Sequence, residues 1–469
     1  VNPYWILTNG DGDNKNYLEQ TQFAINVAPK YTINRYLTLS DRFSYIMNRY
    51  NEKYYLPNDG TPSKAVEGLG SVKSVLQSQF SKETAVFNDF RITYNRQLGA
   101  HHLNAFAGFR LSSFNYNSSN ILGYNNDQDK MPNMSMSQSY KQYGGQNDSW
   151  VNLAYYVNAD YNYQNKYFLT LTTTAESSSR FGKEANDGIK LAGVKWGLFP
   201  SVQLGWLMSS EKWFNVPAVN YLKLFAGYEE SGNDNVDYYA ARTYFANAEF
   251  LQIATGLKLA NIENPKIQWE TTHRFNAGFQ TALFNNRLSL GVDYYWSRTT
   301  NLLTRKAVSD ITGLKYMWAN DGALRNWGIE GNMNVVLLNL RDWKWQAGFG
   351  IGHYQNKVTK LPATSDNFIT TYALDANGQK DLASAKTIQG YTSSVYGQNN
   401  ILTAVGQAAG VFYGYQTAGV FASDADASQA GKYGYLRYPT GLVSQPYRNF
   451  QAGDVHFVDQ NGDGWINEA

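Results

Sequence analysis

Oxygen-bearing side chains alternate close to the end of the chain. Their spacing fits a calcium-binding loop of the EF-hand kind, with Gly464 at the sixth position, where such loops turn sharply. The residues that would hold the cation are Asp459, Asn461, Asp463, Trp465 (through its carbonyl) and Asn467. The twelfth position, which carries a bidentate acid in such loops, would fall one residue past Ala469.

The same segment also fits a simpler structure. Asn461-Gly462 and Asp463-Gly464 are dipeptides that favour tight turns, and an acidic turn needs no metal. Both interpretations remain open on sequence grounds. Nothing else in the sequence requires a cofactor, so Ca²⁺ at this loop is the one cofactor hypothesis that the spacing offers.

A second group of residues has a spacing found in acyl-enzyme hydrolases. Ser209 and Lys212 fit an S-x-x-K pattern, and residues 365–367 spell S-D-N. The K-T-G element that accompanies them in such enzymes is missing, and Ser209 ends a predicted strand rather than opening a helix. We therefore predict that the protein is not an enzyme.

Histidine and glycine patterns also have structural explanations. His101-His102 adjoins a predicted turn and has no partner at metal-ligand spacing, so we interpret it as turn polarity. The run from Gly348 through Gly350 to Gly352 differs from a nucleotide loop, because a spacing of two places all three on one face of a strand. Small residues there would leave room for side chains in the interior of the protein.

The elements that must position these residues are strands, because apolar residues recur at every second position. From Val151 to Tyr163 one face is apolar or aromatic and the other carries Asn and Asp; a turn at 164–166 follows, and the apolar face resumes at Tyr167. Further hairpins are predicted at 275–297, with a turn at Asn285-Asn286, and at 329–351, with a turn near Arg341-Asp342. Weaker copies cover 21–47, 87–112 and 200–229.

Six hairpins predict about a dozen strands, and two more are expected near 411–421 and 453–458. Several predicted strands reach about nine to thirteen residues, which is long enough to cross a bilayer and longer than the roughly five or six of soluble domains. Short turns alternate with long connections, predicted at 112–148, 230–270 and 355–402. This alternation is typical of an all-β transmembrane antiparallel β-barrel with its long loops outside the cell.

Composition agrees with a barrel. Charged residues make up 17% of the 469 residues, below the roughly 25% of soluble domains, while aromatic residues reach 15%, as expected for belts at the two membrane interfaces. The absence of cysteine excludes disulfides and thiolate metal sites. The balance of 40 Lys+Arg against 38 Asp+Glu gives no indication of nucleic-acid binding.

Several ordered segments resemble the SusC/RagA-type family of TonB-linked outer-membrane proteins. They are YYVNADYNYQNKYFLTLTTTAESSSRFGK (155–183), WGLFPSVQLGWLMSSEKWF (196–214), LKLFAGYEESGNDNVDYYA (222–240), the stretch 264–303, NWGIEGNMNV (326–335), GVFYGYQTAGVF (410–421) and GDVHFVDQNGDGWIN (453–467). The resemblance covers roughly 150–469, whereas 1–149 fits only by its hairpin pattern.

The resemblance implies a barrel of about 22 strands filled by an N-terminal plug, in the outer membrane of a Gram-negative bacterium. Residues 1–469 would be a partial barrel domain, with the plug expected before Val1 and the final strands after Ala469. It also implies active import of oligosaccharides or peptides, a SusD-type surface lipoprotein as partner and energy relayed by the TonB complex. A passive porin or specific diffusion channel and a non-transporting surface binding barrel remain alternatives, which a plug before Val1 would disfavour.

Overall fold

The computed structural model describes most of the chain, namely residue 4 and residues 16–58, 61–66, 69–129, 133–137, 141–250, 254–364, 367–375, 379–394, 400–433, 438–439, 447–463 and 466. The first strands in chain order are β1 (Tyr17–Val27), β2 (Lys30–Thr32), β3 (Leu37–Leu56), β4 (Lys64–Val66), β5 (Gly70–Val72), β6 (Val75–Leu98), β7 (His101–Tyr124), β8 (Lys141–Tyr163), β9 (Tyr167–Ser178), β10 (Ile189–Leu191), β11 (Val194–Leu207), β12 (Val219–Asn233) and β13 (Tyr244–Phe250). The others are β14 (Ala254–Asn261), β15 (Glu270–Leu283), β16 (Leu288–Ala307), β17 (Tyr316–Asn339), β18 (Lys344–Lys360), β19 (Phe368–Thr371), β20 (Lys386–Ser393), β21 (Ile401–Ala404), β22 (Val411–Phe412), β23 (Thr417–Val420), β24 (Tyr438–Pro439), β25 (Tyr447–Arg448) and β26 (Val455–Phe457).

One large antiparallel sheet forms the main body of the described structure. Its continuous path runs β1-β3-β6-β7-β8-β9-β11-β12-β15-β16-β17-β18, with β2 added on β3 and β10 on β11. Each long strand therefore pairs with the next long strand along the chain, as in an up-and-down barrel wall. The dozen strands and six hairpins predicted from the alternation of apolar residues are confirmed.

The turns at one end of the sheet are short because their residues accept the left-handed backbone conformation. Gln164 and Asn165 both have φ of 55°, between the paired Tyr163 and Tyr167. Asn285 and Asn286, with φ of 58° and 62°, close the hairpin of β15 and β16 in the same way. Asn adopts this region more readily than most residues, because its short polar side chain can hydrogen-bond locally.

The two faces of the sheet differ in polarity. Rows of directly paired residues that cross the strands are polar on one face and apolar on the other. On the inner face, a row of directly paired polar residues crosses eight strands: Asn158, Thr172, Ser201, Glu229, Arg274, Ser297, Asn326 and Asn356. The neighbouring row on the outer face is almost entirely apolar: Ala159, Leu171, Val202, Tyr228, Phe275, Trp296, Trp327 and Gln355.

Apolar side chains on the outer face are left in contact with the surroundings rather than with a protein core. The exposed fractions of Val157, Leu204 and Ile329 are 56%, 55% and 46%. Such a large apolar surface is unfavourable in water but is the normal lining against lipid. The outer face is therefore the membrane face, and the polar inner face lines the lumen.

The strands are longer than the sequence predicted. β6 and β7 each contain 24 residues, and the connection to β8 shrinks from the predicted 112–148 to residues 125–140. Beyond the bilayer both faces of a strand are hydrated, so the alternation of apolar residues stops although backbone pairing continues. The wall consequently extends past the membrane on the side of the long loops.

The loops contain structure of their own. The predicted connection 230–270 holds the β13–β14 hairpin, and 355–402 holds β19 paired with β20. The strands expected near 411–421 and 453–458 are present but short, and β23 pairs with β26 apart from the large sheet. A helix, α1 (Asp424–Tyr433), lies nearby, and no helix among the described residues is long and apolar enough to cross a membrane.

Candidate functional site

A cleft of about 340 Å³ lies on the inner face, near the ends of the strands that lead into the long loops. Its lining is contributed by neighbouring strands and by the segments that leave them. The lining residues that carry charge or an aromatic ring include Arg110, Glu176, Phe199, Glu229, Asp234 and Trp269. Inward-pointing residues of β7, β9, β11 and β12 thus meet residues that follow β12 and precede β15.

Two carboxylates of the cleft are joined by one amide. Asn152 Nδ2 donates to Glu176 Oε1 at 3.2 Å and to Asp234 Oδ2 at 3.1 Å. Arg180 holds Asp234 from the other side, with Nη1 3.6 Å from Oδ2 and a hydrogen bond of 3.1 Å to the backbone carbonyl. These contacts fix the segment after β12 against β8 and β9, so the acidic edge of the cleft has a defined shape.

Aromatic rings brace the same edge. The guanidinium of Arg180 lies between two rings, 4.8 Å from the centroid of Trp150 and 5.0 Å from that of Tyr238. On the opposite side, Trp269 packs edge-on against Phe181 at 5.2 Å and Phe199 at 6.0 Å. Trp269 is only 4% exposed, so it supports the half-buried rings of Phe181 and Phe199, which are the aromatic surface open to a ligand.

A third acid of the cleft, Glu229, is only loosely neutralised. Glu229 Oε1 lies 3.9 Å from Arg274 Nε, and both side chains are exposed. The cleft therefore offers carboxylate acceptors beside aromatic faces, which suits recognition of ligands rich in O–H or N–H donors. Its residue types provide a binding surface rather than a nucleophile with its base.

The predicted calcium loop is described in part. Asp459 Oδ1 accepts hydrogen bonds from the backbone N–H of Asn461 at 3.2 Å and of Gly462 at 2.8 Å, which is the geometry of an Asx turn. Asp463 Oδ2 accepts from Asn461 Nδ2 at 2.9 Å and from the backbone N–H of Leu374 at 2.7 Å.

The other half of that loop lies outside the described residues, namely Gly464, Trp465 and Asn467. Among the residues that are described, no cluster of three or more His, Asp or Glu side chains could hold a metal ion. Calcium binding at the loop therefore stays a prediction.

The other motifs occupy structural positions. Ser209 lies in a single 3₁₀ turn, Met208–Ser210, directly after β11, and residues 365–366 lie outside the described part of the chain. His101 opens β7, where its Nδ1 lies 2.7 Å from the hydroxyl of Tyr161. Gly350 lies on the inner face of β18, and a Cβ there would meet nothing within 4 Å, so the three glycines belong to a strand and not to a nucleotide loop.

Sequence reasoning did not single out the cleft. Its residues come from five places in the chain, and Asp234 reaches Asn152 across 82 positions of sequence. A signal was present in the polar alternation of β9, which runs Thr172, Thr174, Glu176 and Ser178. Glu176 is the one charged residue among these four. A carboxylate on the inner face of a strand is a reasonable indicator of a lumenal site.

Comparison with known proteins gives consistent matches. Residues 2–460 match the sequence pattern of the family described as TonB dependent receptor-like, beta-barrel. TonB-dependent receptor P3 of Formosa agariphila is 26% identical over 421 residues, which are 87% of this chain and 37% of that protein. TonB-dependent receptor SusC of Bacteroides thetaiotaomicron is 28% identical over 273 residues, which are 56% of this chain and 25% of that protein.

A solved structure of the RagAB peptide importer has the same fold. The superposition has a TM-score of 0.71 at 18% identity and covers 94% of this chain and 44% of that chain. The chain thus spans less than half the length of each of these proteins.

Proposed function

Because the chain belongs to the family of TonB dependent receptor-like β-barrels, we propose that it forms part of the wall of an active importer of large nutrients. The importer takes oligosaccharides or peptides across the outer membrane through the lumen that the polar inner face lines. Energy reaches it from the TonB complex through a plug region that the same protein carries before these strands.

Family membership also decides several predictions made from the sequence. The resemblance to SusC/RagA-type proteins, the antiparallel barrel fold and the outer-membrane location are confirmed by the family match, the relative named SusC and the RagAB fold. The family comprises receptors and transporters, so the prediction that the protein is not an enzyme is also confirmed.

The inner-face cleft is the observation that supports nutrient binding most directly. Glu176 and Asp234 supply acceptors, and the half-buried rings of Phe181 and Phe199, which pack on the buried Trp269, supply an aromatic surface across the same space. Sugar hydroxyls and peptide N–H groups are donors of the kind that carboxylates bind, and both ligand classes have faces that pack on aromatic rings. The cleft lies at the loop side of the wall, where a nutrient arriving from outside first meets the lumen.

The cleft can be tested without altering the shape of the wall. We expect the double substitution Glu176→Gln and Glu229→Gln in the full-length protein to raise the KM for uptake by about tenfold, since hydrogen bonds to charged groups contribute about 1.5–3 kcal/mol. Glu330→Gln, on the inner face of β17 and away from the cleft, is the matched control and should leave uptake unchanged.

Uptake should be measured separately with fluorescent oligosaccharides and fluorescent peptides in cells that carry each variant. An equal KM for wild type and the double variant with both substrates would remove the cleft from the transport path. A change confined to one substrate class would identify the nutrient.

The proposed partner is a SusD-type lipoprotein at the extracellular mouth. The strands of β6 and β7 continue beyond the membrane and provide a rigid rim on which such a partner could sit. Full-length protein extracted from native membranes in mild detergent should co-purify with a surface lipoprotein. Purification of the barrel alone, with the lipoprotein recovered elsewhere in the same membranes, would contradict this partnership.

A further inference from the structure

Three cationic side chains lie side by side on the outer face of strands β16, β17 and β18. Arg298 of β16 is paired directly with Arg325 of β17, and Arg325 with Lys357 of β18. All three are exposed. Each lies two residues beyond an outer-face neighbour of the apolar row, Trp296, Trp327 and Gln355, so the cations belong to the membrane side of the wall and not to the lumen.

The height of this row matches the headgroup region of the bilayer. From Leu288 to Trp296, β16 covers about 26 Å of strand at about 3.3 Å per residue. A strand tilt of about 40° reduces this to about 20 Å, close to the apolar band of about 25 Å expected for such barrels. Trp296 and Trp327 therefore form the belt at the loop end of the band, and the cations begin about 5 Å above it.

The charges of this row are not balanced by the protein. Within the described structure, none of the three side chains has an ion-pair or hydrogen-bond partner. The next residue in the row is His273, whose Nδ1 is 3.1 Å from Glu230, so the nearest carboxylate already has a partner. Like charges placed directly opposite each other in a sheet are destabilising, and an anion between them would relieve the repulsion.

We propose that this row, Arg298, Arg325 and Lys357, binds the phosphate groups of a phosphorylated lipid in the outer leaflet. The planar guanidinium groups match phosphate oxygens two at a time, and the ammonium of Lys357 adds a point charge beside them. The acyl chains of the lipid lie below, on Trp296, Trp327 and the aliphatic side chains of the apolar band. A soluble anion would reach only the cations, whereas a lipid contacts both surfaces.

The test uses the full-length protein in detergent and measures lipid binding by native mass spectrometry. The probes are lipid A, lipid A from which the phosphates have been removed, and inorganic phosphate as a competitor. We expect wild-type protein to bind lipid A at least about tenfold more tightly than the dephosphorylated lipid, and millimolar inorganic phosphate not to displace it. The triple variant Arg298→Gln, Arg325→Gln and Lys357→Gln should lose that tenfold preference.

Two exposed arginines at the opposite end of the same strands provide the control. Arg287 and Arg341 lie in the short turns before β16 and β18, and the double variant Arg287→Gln and Arg341→Gln should bind lipid A as wild type does. Equal binding of the two lipids by wild-type protein would overturn the proposal even if the triple variant failed to fold. Displacement of lipid A by inorganic phosphate would indicate a general anion site instead, and would equally overturn it.

Discussion

Glu211 illustrates how single side chains fix the short turns at one end of the sheet. Its carboxylate accepts hydrogen bonds from the Tyr167 hydroxyl at 2.6 Å, from Trp206 Nε1 at 3.2 Å and from Lys166 Nζ at 3.2 Å. These partners come from the β8–β9 turn and from the ends of β9 and β11. One acid thereby ties two neighbouring hairpins together.

The pH dependence of stability follows from these contacts. The Tyr167 hydrogen bond, followed by those of Trp206 and Lys166, lowers the pKa of Glu211 from its ordinary value of 4.5. Because the folded pKa is below the unfolded one, the stabilisation is present above pH 4.5 and is lost as the pH falls through the lower folded value. We expect Glu211→Gln to lower the melting temperature at pH 7.

The comparison should be made by thermal unfolding in detergent at pH 7 and at acidic pH. The difference between wild type and Glu211→Gln should shrink as the pH falls below 4.5, because wild-type Glu211 then becomes neutral as well. Lys212→Gln, at the exposed neighbouring position, is the control and should melt like wild type. A pH-independent difference would show that the charge of Glu211 is not what stabilises the turn.

The calcium loop remains a prediction at this scale. Asp459 and Asp463 place two carboxylates on a tight turn, and a divalent cation would order them, with an affinity that we expect at the weak, roughly millimolar end of extracellular modules. Isothermal titration of calcium into full-length protein and into an Asp459→Ala, Asp463→Ala double variant decides the question. Identical heats would show that this segment is only an acidic turn.

At the scale of strands, the polarity of the two faces gives a quantitative expectation. Met333 lies on the outer face of β17 near the middle of the apolar band, and its neighbour Asn332 lies on the inner face. We expect Met333→Arg to lower the free energy of unfolding from a bilayer by about 2–4 kcal/mol, because a lipid-exposed cation near the bilayer midplane is unfavourable.

Asn332→Arg is the matched control on the same strand. It adds the same charge to a hydrated lumen, so its effect on the free energy of folding should be well under that of Met333→Arg. Both variants can be compared by urea unfolding in lipid vesicles. A larger loss for Asn332→Arg would mean that the assignment of the two faces is inverted.

The sequence alone predicted the strands that cross the membrane. Period-two alternation locates β8, β9, β15, β16 and most of their neighbours, and Asn-containing turns such as Asn165 mark their ends. The sequence did not predict how far the strands continue beyond the bilayer, where β7 runs on to Tyr124 with Ser and Asn on both faces. Lipid imposes the alternation, so the pattern disappears where water replaces lipid, even though the backbone hydrogen bonds persist.

The cleft was beyond prediction for a different reason. Asp234 follows β12 and is fixed by Asn152 of β8, two strands that are not adjacent in the sheet. Such a contact depends on the curvature of the wall, which brings inner-face residues together across intervening strands. Periodicity assigns a residue to a face but gives no information about which residues meet across the lumen.

For the whole molecule, the two faces of the wall carry the two proposed binding surfaces, one for the nutrient and one for lipid. The inner face carries the acidic and aromatic cleft around Glu176, which we assign to the nutrient. The outer face carries the apolar band, with Arg298 and Arg325 above it at the level of the lipid headgroups.

The central claim, active import through this wall, is tested most directly by uptake of a labelled nutrient into intact cells that express the full-length protein. The measurement compares the initial rate with and without a protonophore, and in cells with and without a functional TonB complex. Our account predicts saturable uptake that falls to the background of cells lacking the protein when either the proton gradient or TonB is removed. Uptake that continues at the same rate after both treatments would contradict it and identify the barrel as a passive channel.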